Sequence, residues 1–285
     1  MFGSAKELLE KSGPIASLPE VFYRINEAVE DPECSFAGIA HIISQDSALS
    51  ARLLKIVNSP FYGYDTNIDT ITHAITIIGM VQLRDLVLAT LVVDKFRGFS
   101  EESMDMKTFW THNIACGLMA RILATFCHER GVERYYVLGL IHDIGRLVMF
   151  LSIPGEMKDA IQKAKLEERI LHEVEKEMFG FDHSEVGYLL IKTWALPELF
   201  QTAVRDCHDS TMGSDLSIET AILHISDVFV HSLGMGCAGE IYVPPLSLIA
   251  WEKVELSASM IPLMVEQLDR EMEKALEIFG FGERS

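Results

Sequence analysis

Basic residues are scarce in this chain: 24 Lys and Arg stand against 42 Asp and Glu, a formal net charge of −18 over 285 residues. Phosphate backbones are gripped chiefly by Lys and Arg displacing condensed counterions, so this balance works against nucleic acid and anionic membrane surfaces as partners. Neither half escapes it, with 7 basic against 12 acidic side chains up to Lys95 and 17 against 30 beyond. Also lacking is any uninterrupted apolar run of about 18 residues, and the opening MFGSAKELLEKSG has no basic-then-apolar pattern. The expectation is a soluble, cytoplasmic chain. Its five cysteines (Cys34, Cys116, Cys127, Cys207, Cys237) are odd in number and form no C-x-x-C pair, which argues against a structural zinc or iron-sulfur centre; they read as small reduced hydrophobes. There is no P-loop. Gly234, Gly236 and Gly239 do satisfy G-x-G-x-x-G, but that motif works only between a strand and a helix N-terminus. Here a helical pattern precedes it and EIYVPP follows, so the glycines read as a flexible loop.

What the chain does have is apolar residues, 49% of the total, in helical spacing almost throughout. This predicts an all-α fold: an N-terminal helical subdomain over residues 1–98 packed on a C-terminal helical subdomain over 99–285, with the boundary in the segment 96–106. Helices are expected from Ser17-Leu18-Pro19-Glu20 to Glu30, from a Ser35 cap to about Gln45, from an Asp46 cap to Asn58, and from Thr70 to a break at Gly79. Phe61-Tyr62-Gly63 reads as an exposed turn. Farther on, YYVLGLIHDIGRLVMFLS reads as one mostly buried helix, and the charged run EVEKE as a solvated face.

The pair of helices across 35–58 has the outline of a helix-turn-helix, but its second helix offers only Arg52 and Lys55. Duplex DNA is therefore expected to bind no better than the weak non-specific level at physiological salt; sequence-specific retardation at nanomolar protein would contradict this.

The strongest chemical signal is His142-Asp143, a polar pair inside the apolar GLIHDIGRLVMF that must be satisfied by a partner or a metal. His112 shares a helical face with Cys116 and Met119, and Asp227 shares one with Leu223, His224 and Val230, so both should point inward. His183 at a helix start and His208 at a helix end can project toward the same place. Four imidazoles and two carboxylates suit a divalent metal, one or two ions, with iron or manganese first and zinc or nickel as alternatives. Either a metal or a hydrogen-bonded core cluster accounts for these residues.

The stretch SLPEVFYRINEAVEDPECSFAGIAHIISQDSALSARLLKIVNSPFYG, followed by AITIIGMVQLRDLVLA, resembles the HDOD family, the HD-related output domain of bacterial signalling proteins, over residues 14 to about 235. The resemblance implies a signalling output domain. Most members are described as lacking the HD-type ligands, whereas here His112, His142-Asp143 and Asp227 follow the order of the HD phosphohydrolase pattern. His183 and His208 fall where the related HD-GYP group has its additional histidines, which with Asp143 as a bridge implies two metals. The GYP tripeptide is missing after His208-Asp209, and Arg146 replaces the usual Lys of H-D-I-G-K. Two functions follow from the resemblance. One is a domain whose metal fixes the core while the N-terminal helices meet a protein partner. The other is a metal-dependent phosphohydrolase acting on a phosphorylated small molecule, with Asp143 and Arg146 as its catalytic residues.

Overall fold

A computed structural model describes residues 3–59, 62, 67–97, 104–209, 213 and 215–282. The turn read at Phe61 and Gly63 and residues 98–103 of the expected boundary lie outside the described residues. Among those described, every regular element is a helix. They are α1 (Ala5–Ser12), α2 (Glu20–Glu30), α3 (Phe36–Ser44), α4 (Ser47–Val57), α5 (Ile71–Ile78), α6 (Met80–Arg97), α7 (Met106–Phe126) and α8 (Glu133–Ile141). The chain continues through α9 (Ile144–Ser152), α10 (Pro154–Glu167), α11 (Leu171–Phe179), α12 (His183–Thr193), α13 (Glu198–Asp206), α14 (Ile218–Ser232), α15 (Leu248–Lys253) and α16 (Ile261–Phe279).

The helices start where side chains can satisfy their first free N–H groups. Ser35 accepts from the Gly38 amide, Asp46 from those of Ala48 and Leu49, and Thr70 from that of His73. The chain divides into two compact units. One comprises residues 18–98 and 269–285, the other residues 1–17 and 99–268. The expected single division after residue 98 differs from this in where it puts the terminal segments 1–17 and 269–285.

In the first unit α6 is buried along most of its length, from Leu83 to Val93, and α2, α4 and α5 each pack on it. The would-be recognition helix α4 turns Leu49, Leu53, Ile56 and Val57 into this core. Its Arg52 is paired with Asp94, which spends one of the two cations that DNA would need.

The second unit is built on α7, which packs against α8 and α14, while α12 packs on α9 and α13. Residues 133–152 are long and apolar enough to cross a membrane, yet 89% of their most apolar stretch is buried inside the protein. Their apolarity is thus accounted for by the core of this unit.

Candidate metal centre

Close helix crossings set the site. A Cβ on Gly139 would lie 2.5 Å from the carbonyl carbon and oxygen of Cys116, so α8 can press on α7 only because residue 139 is glycine. Gly145 plays the same part between α9 and α12, where a Cβ would meet the His183 carbonyl oxygen at 2.0 Å and the Gly187 amide at 2.4 Å. Neither neighbour is a side chain that can swing away. Gly145→Ala is accordingly expected to cost about 1–3 kcal/mol by overpacking, read as a lower melting temperature; an unchanged melt would mean that α9 and α12 separate freely.

Between these crossings the expected single helix breaks. His142 and Asp143 form a turn between α8 and α9, with Asp143 at φ −91° and ψ 10°. That is the sparsely populated bridge region, and it aims both side chains inward. His142 Nδ1 lies 2.7 Å from the Gly139 carbonyl oxygen. A carbonyl only accepts, so Nδ1 carries the proton and a neutral His142 presents the Nε2 lone pair to the cluster.

Six residues expected from the sequence converge here. Asp227 Oδ1 is 3.2 Å from His112 Nε2 and 3.4 Å from His142 Nε2, and Asp143 Oδ2 is 3.7 Å and 3.4 Å from the same two atoms. His183 Nε2 is 3.3 Å from Asp143 Oδ1, and His208 Nδ1 is 3.6 Å from Asp227 Oδ2. His112, His142, Asp143, His183 and Asp227 are buried, and His208 is 7% exposed at the edge.

Two groups of donor atoms each lie within 4.8 Å of one another: His112, Cys116, His142 and Asp227 in one, Asp143, His183 and His208 in the other. His142 Nε2, Asp143 Oδ1 and His208 Nε2 are buried without hydrogen-bond partners. Buried polar atoms are rarely left so, and divalent cations would satisfy them, His142 belonging to the first group and Asp143 and His208 to the second. The donor set fits such an ion.

Electrostatics point the same way. Burial alone would raise the carboxyl of Asp143, but Arg146, His142 and His183 outweigh it and hold that group well below the usual carboxylate range. Asp227 is likewise depressed despite burial, by His231, His112 and His142. Burial pushes His142 down, but Asp143 and Asp227 overcome it and lift it to about 9. His112 and His208 are lowered, mainly by burial. The cluster carries fixed negative charge and competes for any cation offered, protons included.

Several members were not found from the sequence. His231 sits one turn beyond Asp227 on α14, with Nε2 3.3 Å from Asp227 Oδ1; the four-residue spacing was the available signal. Glu175, read as part of a solvated charge run, is instead fully buried, with Oε2 2.6 Å from His183 Nδ1 and 3.0 Å from the His183 amide nitrogen. It lies on the face that α11 buries through Leu171 and Val174, so helical spacing placed it inside. His172 stacks on His208 at 5.5 Å between ring centroids. His224, by contrast, is fully used, bonding the Cys207 carbonyl through Nδ1 and receiving the Ser247 amide at Nε2.

Arg146 does not reach outward. Its Nη1 lies 3.4 Å from Asp143 Oδ2 and 3.3 Å from the Ala238 carbonyl oxygen, and its Nε is 3.7 Å from Glu175 Oε1. Since Glu175 takes the Nδ1 proton of His183, the Nε2 lone pair is what Arg146 Nη2 meets at 3.0 Å. The guanidinium is a cation already lodged against Asp143 and His183.

A cavity of about 330 Å³ opens at the edge of the cluster, where His208 and His172 form part of its wall with Lys176, Arg205, Asp206 and Asp209. Arg146 is not part of that wall.

Comparison with known proteins agrees with this architecture. The family model for the HDOD domain matches residues 15–210. An uncharacterized protein of Treponema pallidum (strain Nichols) is 28% identical over 207 residues, which is 72% of this chain and 40% of that relative. The chain therefore spans about two-fifths of the curated relative's length. Among solved structures, an HDOD domain protein of Geobacter sulfurreducens superposes with a TM-score of 0.75 at 24% identity, covering 97% of this chain and 95% of the other. A candidate phosphohydrolase of Shewanella amazonensis SB2B gives 0.75 at 21% identity, covering 98% of both chains. At these identities the likeness concerns the fold.

Proposed function

From the premise that this chain belongs to the HDOD domain family, we propose that it is a signalling output domain in which one divalent metal, held by His112, His142, Asp143 and Asp227, braces the core, and that the domain acts by binding another protein. The observation that carries this reading is the closure of the cluster: each of those four residues is at most 1% exposed. A metal that activates water for hydrolysis needs an open coordination position on a cavity, whereas a structural metal is enclosed. Metal binding would then be folding free energy, and metal supply would tune the stability of the surface offered to a partner. Supporting a protein partner, Ile241, Val243, Leu246, Leu248 and Ile249 stand 36–73% exposed along one stretch of chain. The −18 charge disfavours nucleic acid and membrane.

A second reading is favoured by the cavity at His208, which opens the edge of the cluster to a ligand and has Lys176 and Arg205 in its wall, each paired with a carboxylate, Asp182 and Asp206. On that reading the chain is a metal-dependent phosphohydrolase. The metal would supply Lewis acidity to a phosphoryl oxygen. Asp143 would help hold it, and Arg146, turned inward, would position Asp143 and His183 rather than touch phosphate.

Protein purified without chelators separates the two. The structural reading expects about one metal per chain, lost in Asp143→Ala, a lower melting temperature on chelation, and no metal-dependent turnover of a generic phosphodiester such as bis(p-nitrophenyl) phosphate. Turnover abolished by Asp143→Ala would establish the hydrolase instead. Sub-stoichiometric metal, unaffected by Asp143→Ala, would overturn both.

A further inference from the structure

We propose that Cys116 is a thiolate ligand of this metal, making the centre a mixed sulfur, nitrogen and oxygen site suited to zinc. This rests on the reading that the cluster holds a metal, and puts Cys116, a donor outside the HD pattern, in the tetrahedral set with His112, His142 and Asp227, leaving Asp143 as the carboxylate beside them.

Position is the first argument. Cys116 follows His112 by four residues on α7, so both side chains leave the same face one turn apart. Its backbone is pinned by the crossing at Gly139, and the residue is fully buried. The Sγ atom is 3.5 Å from His112 Nε2 and 3.9 Å from Asp227 Oδ1.

Spacing is the second. Tetrahedral zinc, with nitrogen or oxygen near 2.0–2.1 Å and sulfur near 2.3 Å, sets neighbouring donor atoms about 3.3–3.6 Å apart. Of the edges observed here, 3.2 Å from His112 to Asp227, 3.4 Å from His142 to Asp227 and 3.5 Å from Cys116 to His112 are close to that size, and that from Cys116 to Asp227 is longer at 3.9 Å. A cysteine that served only as a small hydrophobe would have no reason to direct its sulfur at an imidazole nitrogen and a carboxylate. Cys207 gives the contrast: it too is buried, but its Sγ bonds the Val204 carbonyl on its own helix turn.

Ligation replaces the S–H bond by an S–metal bond and releases the thiol proton to the buffer, with no change of oxidation state. The consequence is selectivity. A thiolate favours zinc or cobalt over manganese or magnesium, which prefer oxygen-rich sites.

The test is optical and uses the whole chain. Cobalt(II)-loaded wild type should show a thiolate-to-cobalt charge-transfer band in the near ultraviolet, retained in Cys207→Ala and absent from Cys116→Ser. Zinc affinity should fall at least about tenfold in Cys116→Ser, no less than the loss of a supporting residue produces at other metal sites, while manganese affinity changes little. Should Cys116→Ser fail to fold, X-ray absorption of the zinc-loaded wild type decides, with one sulfur at about 2.3 Å expected. Cobalt bound without the band, or a band that survives Cys116→Ser, overturns the thiolate while the metal reading stands. Wild type that binds neither cobalt nor zinc overturns both.

Discussion

Replacing Arg146 by methionine is expected to destabilise the metal-free protein by about 3–5 kcal/mol, the range found when one partner of a buried ion pair is removed. The guanidinium is 2% exposed and faces Asp143, Glu175 and the Nε2 lone pair of His183. Methionine matches much of its volume but none of its charge, leaving two buried carboxylates without their cation. Unfolding is conveniently followed by tryptophan fluorescence, because Trp110, Trp194 and Trp251 all lie in the unit that holds the site. A loss of this size is a melting-temperature drop on the order of 10 °C.

The same experiment asks what Arg146 is for. If it lies where a second metal would otherwise sit, Arg146→Met should recover more stability from added zinc or manganese than wild type does, and its metal content should rise above one per chain. If Arg146 instead served an external phosphate, its removal would change stability by no more than about 0.5 kcal/mol, as for residues outside the core network. A melt within a degree of wild type therefore refutes the internal-cation role. Arg146→Lys should fall between the two, since an ammonium keeps the charge but cannot reach several partners with a planar fork.

How far the sequence revealed this site follows from the kind of signal each residue gives. The helices of residues 18–97 were legible because caps and breaks are local: Ser35, Asp46, Thr70 and Gly79 each act on the backbone beside them. His142 and Asp143 stood out because polar groups in an apolar run demand partners. Their turn was hidden, because its cause is tertiary, the press of Gly139 on α7 and of Gly145 on α12. Glu175 was misread because a run of Glu and Lys describes composition, whereas its burial depends on the side of α11 that faces His183. The four-residue spacing put Cys116 on the face of His112, but its role stayed hidden, as a buried thiol beside apolar residues in sequence looks the same whether its sulfur meets methyl groups or a carboxylate. Arg146 was legible as a cation and not as a direction: only the geometry turns it from a candidate phosphate contact into a partner of Asp143 and Glu175.

The second large effect is in pH. Metal-free protein is expected to be most stable near pH 6.5 and to weaken on both sides, while the stabilisation gained from metal grows steadily from pH 6.5 to 9. On the acid side, His112, His172, His208 and His224 are lowered mainly by burial, so the unfolded chain takes up their protons first, and stability is lost as pH falls below 6.5. Asp143 and Asp227, depressed in the fold, add a further loss below their ordinary 3.8. On the alkaline side the sign reverses. Against the pull of burial, His142 is raised from 6.5 to about 9 by the Asp143 and Asp227 carboxylates, and His231 is raised too, by Asp227. The contribution of His142 is complete below 6.5 and is lost as pH rises through 9, and that of His231 is lost as pH rises above 6.5. For His142 this is roughly 3 kcal/mol, or a melting temperature lower by roughly 6–12 °C. A metal inverts this limb, because it needs the neutral imidazole and displaces the proton that His142 would otherwise hold. Raising the pH removes that competitor, so the metal increment should widen as the metal-free melt declines. In His142→Gln the alkaline decline should flatten and the metal increment should shrink together. A metal-free melting temperature that stays level from pH 6.5 to 9, or a metal increment that narrows over that range, would show that His142 is neither the proton acceptor nor the metal-facing group assigned to it.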